Sequence, residues 1–515
     1  MFLKDHYRSS SVNIISPACK SPIAMRRILK SLGAVRKVHG ARAMDIAQKE
    51  KAVFVSGMSS AGNSKSVIHR GAGVATEEMA GDMPPRRASG LNKPTVWNEF
   101  TPLARATSAV NLGQGFPDCP PPAFVARAAA AAFQNPQVSM YAPTRGHPRL
   151  LEAIARKHSS QLKREIKGTA NVLATVGASE GIFLAVQSFV EEGDEVVVIE
   201  PAFDLYFSSI QMANAVARHV PLRSKSEQPS SSSELHIDMD ELESAFSQKT
   251  RLLILNSPHN PTGKVFTQDE KEQIARVLRK YPDCLVLSDE VYEHLTFDGA
   301  KHVPFAATAP DMWDRTISLY TFGKTFSATG WKLGWAVAPV NLIQRMVNIQ
   351  QHIVFCVPHP IQEAAAEAME SAEKPYEGSS SYYEYVTDTF NRKKDKLLDI
   401  LRKTSLVPMD PEGGLFIMCN TTGVKAFVGK LPEEEEAIIS AGNLEIDPST
   451  RNLSDYNFCR WMTMDEEDAA GFQEPVVGVT DFSITGSSSC DYSDSSCAPV
   501  HDESSSRMQL YSRSG

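Results

Sequence analysis

No uninterrupted apolar run in this chain approaches the roughly eighteen residues that a membrane-spanning helix needs, so no membrane partner is expected. Positive charge is not in excess either. The 53 Lys and Arg against 61 Asp and Glu leave a net charge of −8, which gives no footing for nucleic acid. The eight cysteines are scattered and include no Cys-x-x-Cys pair. That pattern argues against a zinc site or a disulfide framework and for reduced thiols, so no metal is expected.

What is present is a long chain with ends unlike its middle. At 515 residues it suits one large and one small lobe plus tails. Residues 1–70 hold thirteen Lys and Arg but only three Asp and Glu. A basic, Ser- and Ala-rich extension over 1–90 reads as a transit peptide for mitochondrion or plastid. The alternatives are a disordered basic tail or an upstream start codon, with a cytoplasmic protein. At the other end, twelve of the thirty-five residues from Asp481 to Gly515 are serine, and a Ser-rich disordered tail is expected over 471–515.

Between the tails the texture is that of an α/β enzyme. Apolar spacing predicts helices over Arg149–Gln161 and Ser179–Phe189. Short β-rich runs at Glu195–Ile199, Leu252–Leu255 and Cys284–Leu287 each stop at a polar cluster, as buried parallel strands do. Ligands of such sheets bind beyond the carboxyl ends of the strands.

The most informative segment is Tyr320-Thr-Phe-Gly-Lys-Thr-Phe-Ser-Ala-Thr-Gly-Trp-Lys-Leu-Gly-Trp335. It presents a lysine on a small-residue turn beside groups suited to a phosphate, which is what a pyridoxal phosphate (PLP) enzyme needs: Lys324 as Schiff base, Thr321 as phosphate hydroxyl, Lys332 as cation. A lysine in such a turn is more often a solvated surface residue. Four further segments bear on the choice. Gly177-Ala-Ser-Glu-Gly181 opens a helix whose N–H groups at Ala178 and Ser179 could face an anion, although any strand-to-helix turn needs small residues. The others are Glu200-Pro-Ala-Phe-Asp204, Asn256-Ser-Pro-His-Asn-Pro-Thr-Gly263 and Leu287-Ser-Asp-Glu-Val-Tyr292.

The order of these five segments resembles the fold type I PLP-dependent aminotransferases, above all the branch of kynurenine aminotransferase, glutamine transaminase K and cysteine-conjugate β-lyase. The resemblance runs from about Lys93 to about Met462. It implies a large domain with a mostly parallel sheet between helices plus a smaller α+β domain: an arm and first part of the small domain over 91–125, the PLP-binding domain over 126–385, and the rest of the small domain, incomplete, over 386–470. It further implies that Phe203 stacks on the cofactor ring, Asn260 and Tyr292 bind its 3′-oxygen, Pro261 is cis, and Asp289 holds the ring nitrogen protonated. Gly115, in Asn111-Leu-Gly-Gln-Gly-Phe-Pro-Asp118, together with Trp97 and Asn260, would face the substrate. Tyr141 would reach the phosphate of a neighbouring subunit in a homodimer. The implied reaction is ping-pong transamination of aromatic or large neutral amino acids (kynurenine, phenylalanine, glutamine or methionine) with a 2-oxo acid, or β-elimination from cysteine conjugates.

One feature of that family is missing. Its members bind the substrate carboxylate through an arginine in a motif like Arg-Phe-x-Phe-x-Lys after Ile-Pro-x-Ser-x-Phe, and this chain has neither. After Phe458-Cys-Arg-Trp-Met462 it runs through Asp465-Glu-Glu-Asp468 into the serine-rich tail. Arg460 lies before the expected place and is a poor substitute. Three readings stay open: an altered C-terminal reading frame, a carboxylate-binding arginine from elsewhere, or a protein that holds PLP without transaminating.

Overall fold

In the computed structural model, residues 10–12, 91, 95–107, 113–117, 119–421, 458–460 and 509–513 are described. Most of the basic extension, Asn111, Leu112, Asp118, and most of the C-terminal tail lie outside them. Among the described residues no helix is long and apolar enough to cross a membrane.

The centre is an eight-stranded sheet in the order β2-β9-β8-β7-β6-β3-β4-β5. Its strands are β2 (Val172–Thr175), β3 (Glu195–Glu200), β4 (Val216–Arg223), β5 (His236–Ile237), β6 (Thr250–Asn256), β7 (Leu285–Asp289), β8 (Thr316–Thr321) and β9 (Gly334–Val337). Neighbours from β4 through β3, β6 and β7 to β8 are parallel; β9 runs antiparallel between β8 and β2, and β5 antiparallel to β4.

Each β-rich run of the sequence has become an inner strand, because it is apolar on both faces. Side chains alternate across a strand. Val196 and Val198 pack with Leu252 and Ile254 on one side, against the helices Gly177–Phe189 and Val340–Ile353. Val197 and Ile199 pack with Leu253 and Leu255 on the other, where the helix Gln268–Leu278 covers them. That helix starts on a capping box in which Thr267 accepts from the Glu270 N–H while the Glu270 carboxylate accepts from the Thr267 N–H. The predicted helices occupy Pro148–Gln161 and Gly177–Phe189; the first starts one residue early because Pro148 supplies a preset φ at its first position.

The helix Tyr382–Leu401 leads to a second sheet of four strands, ordered β1-β12-β11-β10. These are β1 (Ser10–Val12), β10 (Val407–Met409), β11 (Phe416–Asn420) and β12 (Gln509–Arg513). Here the structure departs from the expectation of disorder throughout 471–515. Gln509–Arg513 pairs parallel with Phe416–Asn420 and antiparallel with Ser10–Val12. β11 carries β10 on one side only, so its other edge offers a row of unpaired backbone donors and acceptors, and five residues of extended chain fill it.

Candidate active site

Strands β2, β3, β6, β7 and β8 point the same way, and all five sequence segments follow their carboxyl ends. Residues far apart in sequence are thereby gathered above one rim of the sheet.

Lys324 sits in a single helical turn, Phe322–Thr325, directly after β8. Thr321 caps the turn, its hydroxyl accepting from the Gly323 N–H at 3.2 Å and donating to the Leu333 carbonyl at 3.3 Å. In this structure that hydroxyl is thus engaged within the turn that presents the lysine. Gly323 is required by close approach, since a Cβ there would lie 2.7 Å from Thr329 Cα. The Lys324 ammonium donates to the Gly115 carbonyl and stands 5.6 Å from the centre of the Tyr292 ring. Burial lowers its pKa to about 8; Asp289 opposes that shift and Lys332 adds to it.

Asp289 ends β7 and is 4% exposed, too deep for a solvated carboxylate. Its Oδ2 accepts from the Tyr206 hydroxyl at 2.6 Å. Burial raises its pKa to about 6, against the hydrogen bonds that favour the charge. Tyr206 was not singled out in the sequence; it lies three residues after Phe203, whose ring meets it edge-on at 5.8 Å. Helical spacing from Phe203 was the only signal that could have found it.

Asn256 is a second unforeseen member. It ends β6, donates from Nδ2 to the Asp289 carbonyl at 2.8 Å, and accepts at Oδ1 from the Asn260 N–H at 2.6 Å. One buried amide thus ties the loop carrying Asn260 to the strand carrying Asp289. The Asn260–Pro261 bond is cis, as are Ser257–Pro258 and Glu200–Pro201.

The anion-binding corner is built from β2, β9 and the helix Gly177–Phe189. No side chain caps that helix, and the N–H groups of its first turn have no acceptor within the helix. Lys332, in a left-handed conformation at φ 50°, brings its ammonium to 3.1 Å from Ser179 Oγ. Gly177 has φ +71°, and a Cβ on it would stand 3.3 Å from Lys332 Nζ and 3.6 Å from Ser179 Oγ. Glycine therefore keeps clear a space bordered by a cation, a hydroxyl and the positive end of a helix, a donor set that fits a phosphate.

Burial raises the pKa of Asp204, which adjoins Phe203, and the nearby Trp97 indole opposes that shift by favouring the charge. Arg460 is 1% exposed and grips Glu99, Nε donating to Oε1 and an Nη2–H to Oε2 at 3.1 Å. A guanidinium committed in this way is not placed to receive a substrate carboxylate. Tyr141 lies outside the cluster: it is 83% exposed and meets Phe355 edge-on at 5.2 Å.

The site can therefore present an amine of lowered basicity between a buried carboxylate and an anion-binding helix end. Comparison with known proteins shows the family of the chain. The family of class I and II aminotransferases matches residues 107–449. A kynurenine–oxoglutarate transaminase of Dictyostelium discoideum is 39% identical over 74% of this chain and 85% of its own length. Among solved structures, Bna3p of Saccharomyces cerevisiae, described as a candidate kynurenine aminotransferase, superposes with a TM-score of 0.63 at 28% identity over 78% of this chain and 99% of its own. Escherichia coli YbdL, with a methionine aminotransferase function, does so with a TM-score of 0.61 at 26% identity over 74% and 99%. The chain belongs to the class I and II aminotransferases, a PLP-dependent family.

Proposed function

We propose that this aminotransferase holds PLP at Lys324 and moves the amino group of kynurenine or another aromatic or large neutral L-amino acid to a 2-oxo acid. The observation that carries the reading is the Lys324 amine, its basicity lowered by burial, donating to the Gly115 carbonyl with Asp289 in electrostatic range. PLP, when bound, supplies the electron sink that makes an amino acid's Cα–H acidic. The protein's own groups divide the remaining work. Ala178 and Ser179 N–H groups, Ser179 Oγ and Lys332 would hold the phosphate, with Thr321 beside them. Phe203 would fix the ring plane, Asn260 and Tyr292 the 3′-oxygen, and Asp289, oriented by Tyr206, the charge at the ring nitrogen. Lys324 Nζ would serve as the general base that takes the Cα proton and as the general acid that delivers it on the far side of the amino nitrogen, a 1,3-proton transfer. Trp97 would wall the side-chain pocket.

We further propose that the working unit is a homodimer, because Tyr141 lies outside its own chain's cluster, exposed beside Phe355, where it could reach a partner's phosphate.

The activity is tested by supplying kynurenine, phenylalanine, glutamine or methionine with a 2-oxo acid and following formation of the new amino acid. Turnover with a large neutral donor at least about tenfold above that with aspartate is the expected result; equal or better use of aspartate would refute the substrate class. Lys332→Met should weaken PLP binding about 10- to 100-fold, as expected for a lost charge-assisted phosphate contact. Equilibrium dialysis checks this, and unchanged affinity would remove Lys332 from the phosphate site.

A further inference from the structure

Arg460 and Glu99 are 361 positions apart, yet they meet in the core through a two-pronged ion pair. Glu99 is 3% exposed, and Arg460 follows Phe458 and Cys459, both fully packed. Two charges taken out of water are costly unless their geometry is good and their hydrogen bonds are made. A forked guanidinium on both oxygens of one carboxylate supplies that geometry, and it also fixes orientation, since two parallel bonds resist rotation.

What the pair orients is the helix Val96–Thr107, with Glu99 in its first turn. Trp97 precedes Glu99 by two positions. On a helix that spacing puts the two on nearly opposite faces, one directed to the core and the other away from it. The exposures agree, with Glu99 buried and Trp97 42% exposed. The outward face bears on the site through Asp204, which adjoins Phe203 and whose charge burial opposes while the nearby Trp97 indole favours it. The link therefore runs from Arg460 to Glu99 by direct contact, through one helical turn to Trp97, and on electrostatically to Asp204 beside Phe203.

We propose that Arg460 is a positioning residue for the amino-acid side-chain pocket: by gripping Glu99 it sets the rotation and depth of the helix Val96–Thr107, and so the place of Trp97. The C-terminal arginine thereby acts on donor selectivity and not on carboxylate binding. This inference rests on Trp97 being the pocket wall.

The test compares phenylalanine with alanine as donors for the PLP-loaded enzyme and its variants Arg460→Lys, Glu99→Gln, Trp97→Ala and the double variant Arg460→Lys/Trp97→Ala. Arg460→Lys and Glu99→Gln are each expected to raise KM for phenylalanine about tenfold while KM for alanine moves less than about twofold. The double variant should be no worse than Trp97→Ala alone, because both act through the same ring. Hydrogen exchange over Val96–Thr107 should quicken in Arg460→Lys and Glu99→Gln, a readout independent of turnover.

Equal KM increases for both donors in Arg460→Lys, with Glu99→Gln unaffected, would make Arg460 a carboxylate ligand and overturn the proposal. Multiplying effects in the double variant would overturn it too. If Trp97→Ala leaves the donor ratio unchanged, the pocket-wall reading fails and the selectivity claim with it. If Trp97→Ala shifts the ratio while neither Arg460→Lys nor Glu99→Gln does, only the role of Arg460 fails. Should Arg460→Lys not fold, Glu99→Gln tests the same contact with shape preserved.

Discussion

Lys324→Ala is expected to lower transamination by at least about four orders of magnitude, since the same amine serves as covalent anchor and as proton carrier. The visible absorption of the lysine-linked cofactor should vanish with it. The structure adds a pH signature. Burial lowers the Lys324 pKa to about 8, so at pH 7.5 about one-quarter of the amine is uncharged, against roughly 0.1% for an unperturbed lysine. The uncharged form is the nucleophile, and its share grows with pH. Capture of PLP by the cofactor-free protein should therefore accelerate as pH rises through about 8 and level off above it. Stopped-flow absorbance over pH 6.5 to 9.5 reads this directly. A profile still climbing steeply at the alkaline end would mean that the amine is an ordinary lysine, and a Lys324→Ala variant that kept both absorption and turnover would remove Lys324 from the reaction.

The second large effect is expected at Asp289. Asp289→Asn keeps the shape and leaves the Tyr206 hydroxyl an acceptor, but it removes the negative charge from the end of β7. A single preorganised electrostatic contact in a site closed to water is worth about 100- to 1,000-fold in kcat, and that is the expected loss. Single-turnover measurements separate it from weaker PLP binding. A loss below about tenfold would mean that the charge on Asp289 does not serve the chemistry. The wild-type protein should show the same dependence in its acid limb. Burial raises the Asp289 pKa to about 6 in the cofactor-free protein, so the carboxylate is charged above that pH and neutralised below it. PLP capture should then fall more steeply through about pH 6 than protonation of Lys324 alone requires, and this extra loss should be absent in Asp289→Asn.

How far the sequence could be read depended on the range of the interactions involved. The strands announced themselves because continuous apolar runs such as Val196–Ile199 and Leu252–Leu255 suit only positions covered on both faces. The lysine turn was legible because Gly323, Thr321 and Lys324 act on one another within four residues. Local chemistry of this kind is written in adjacent residues and survives without knowledge of the rest of the chain.

Tyr206 and Asn256 were illegible for the opposite reason. Nothing beside Tyr206 in sequence distinguishes it from a core aromatic; its partner Asp289 is 83 positions away, and only the adjacency of the strand ends brings the hydroxyl to the carboxylate. Asn256 reads as the polar stop of a strand until its two hydrogen bonds are seen to join β7 to the Asn260 loop. Arg460 looked like a residue short of its proper motif, whereas the structure gives it Glu99. The strand Gln509–Arg513 lay unseen in a serine-rich tail because what orders it is the open edge of β11, not its own composition.

By itself, then, the sequence determined an α/β architecture and the order of the five site segments, because periodicity and turn chemistry are properties of neighbouring residues, while the likeness of those segments to the aminotransferases singled out Lys324 among the lysines. The tertiary structure alone decided which carboxylate each buried hydroxyl, amide or guanidinium would hold, because a polar group removed from water must take whatever partner the packing of distant strands and helices sets within hydrogen-bond reach.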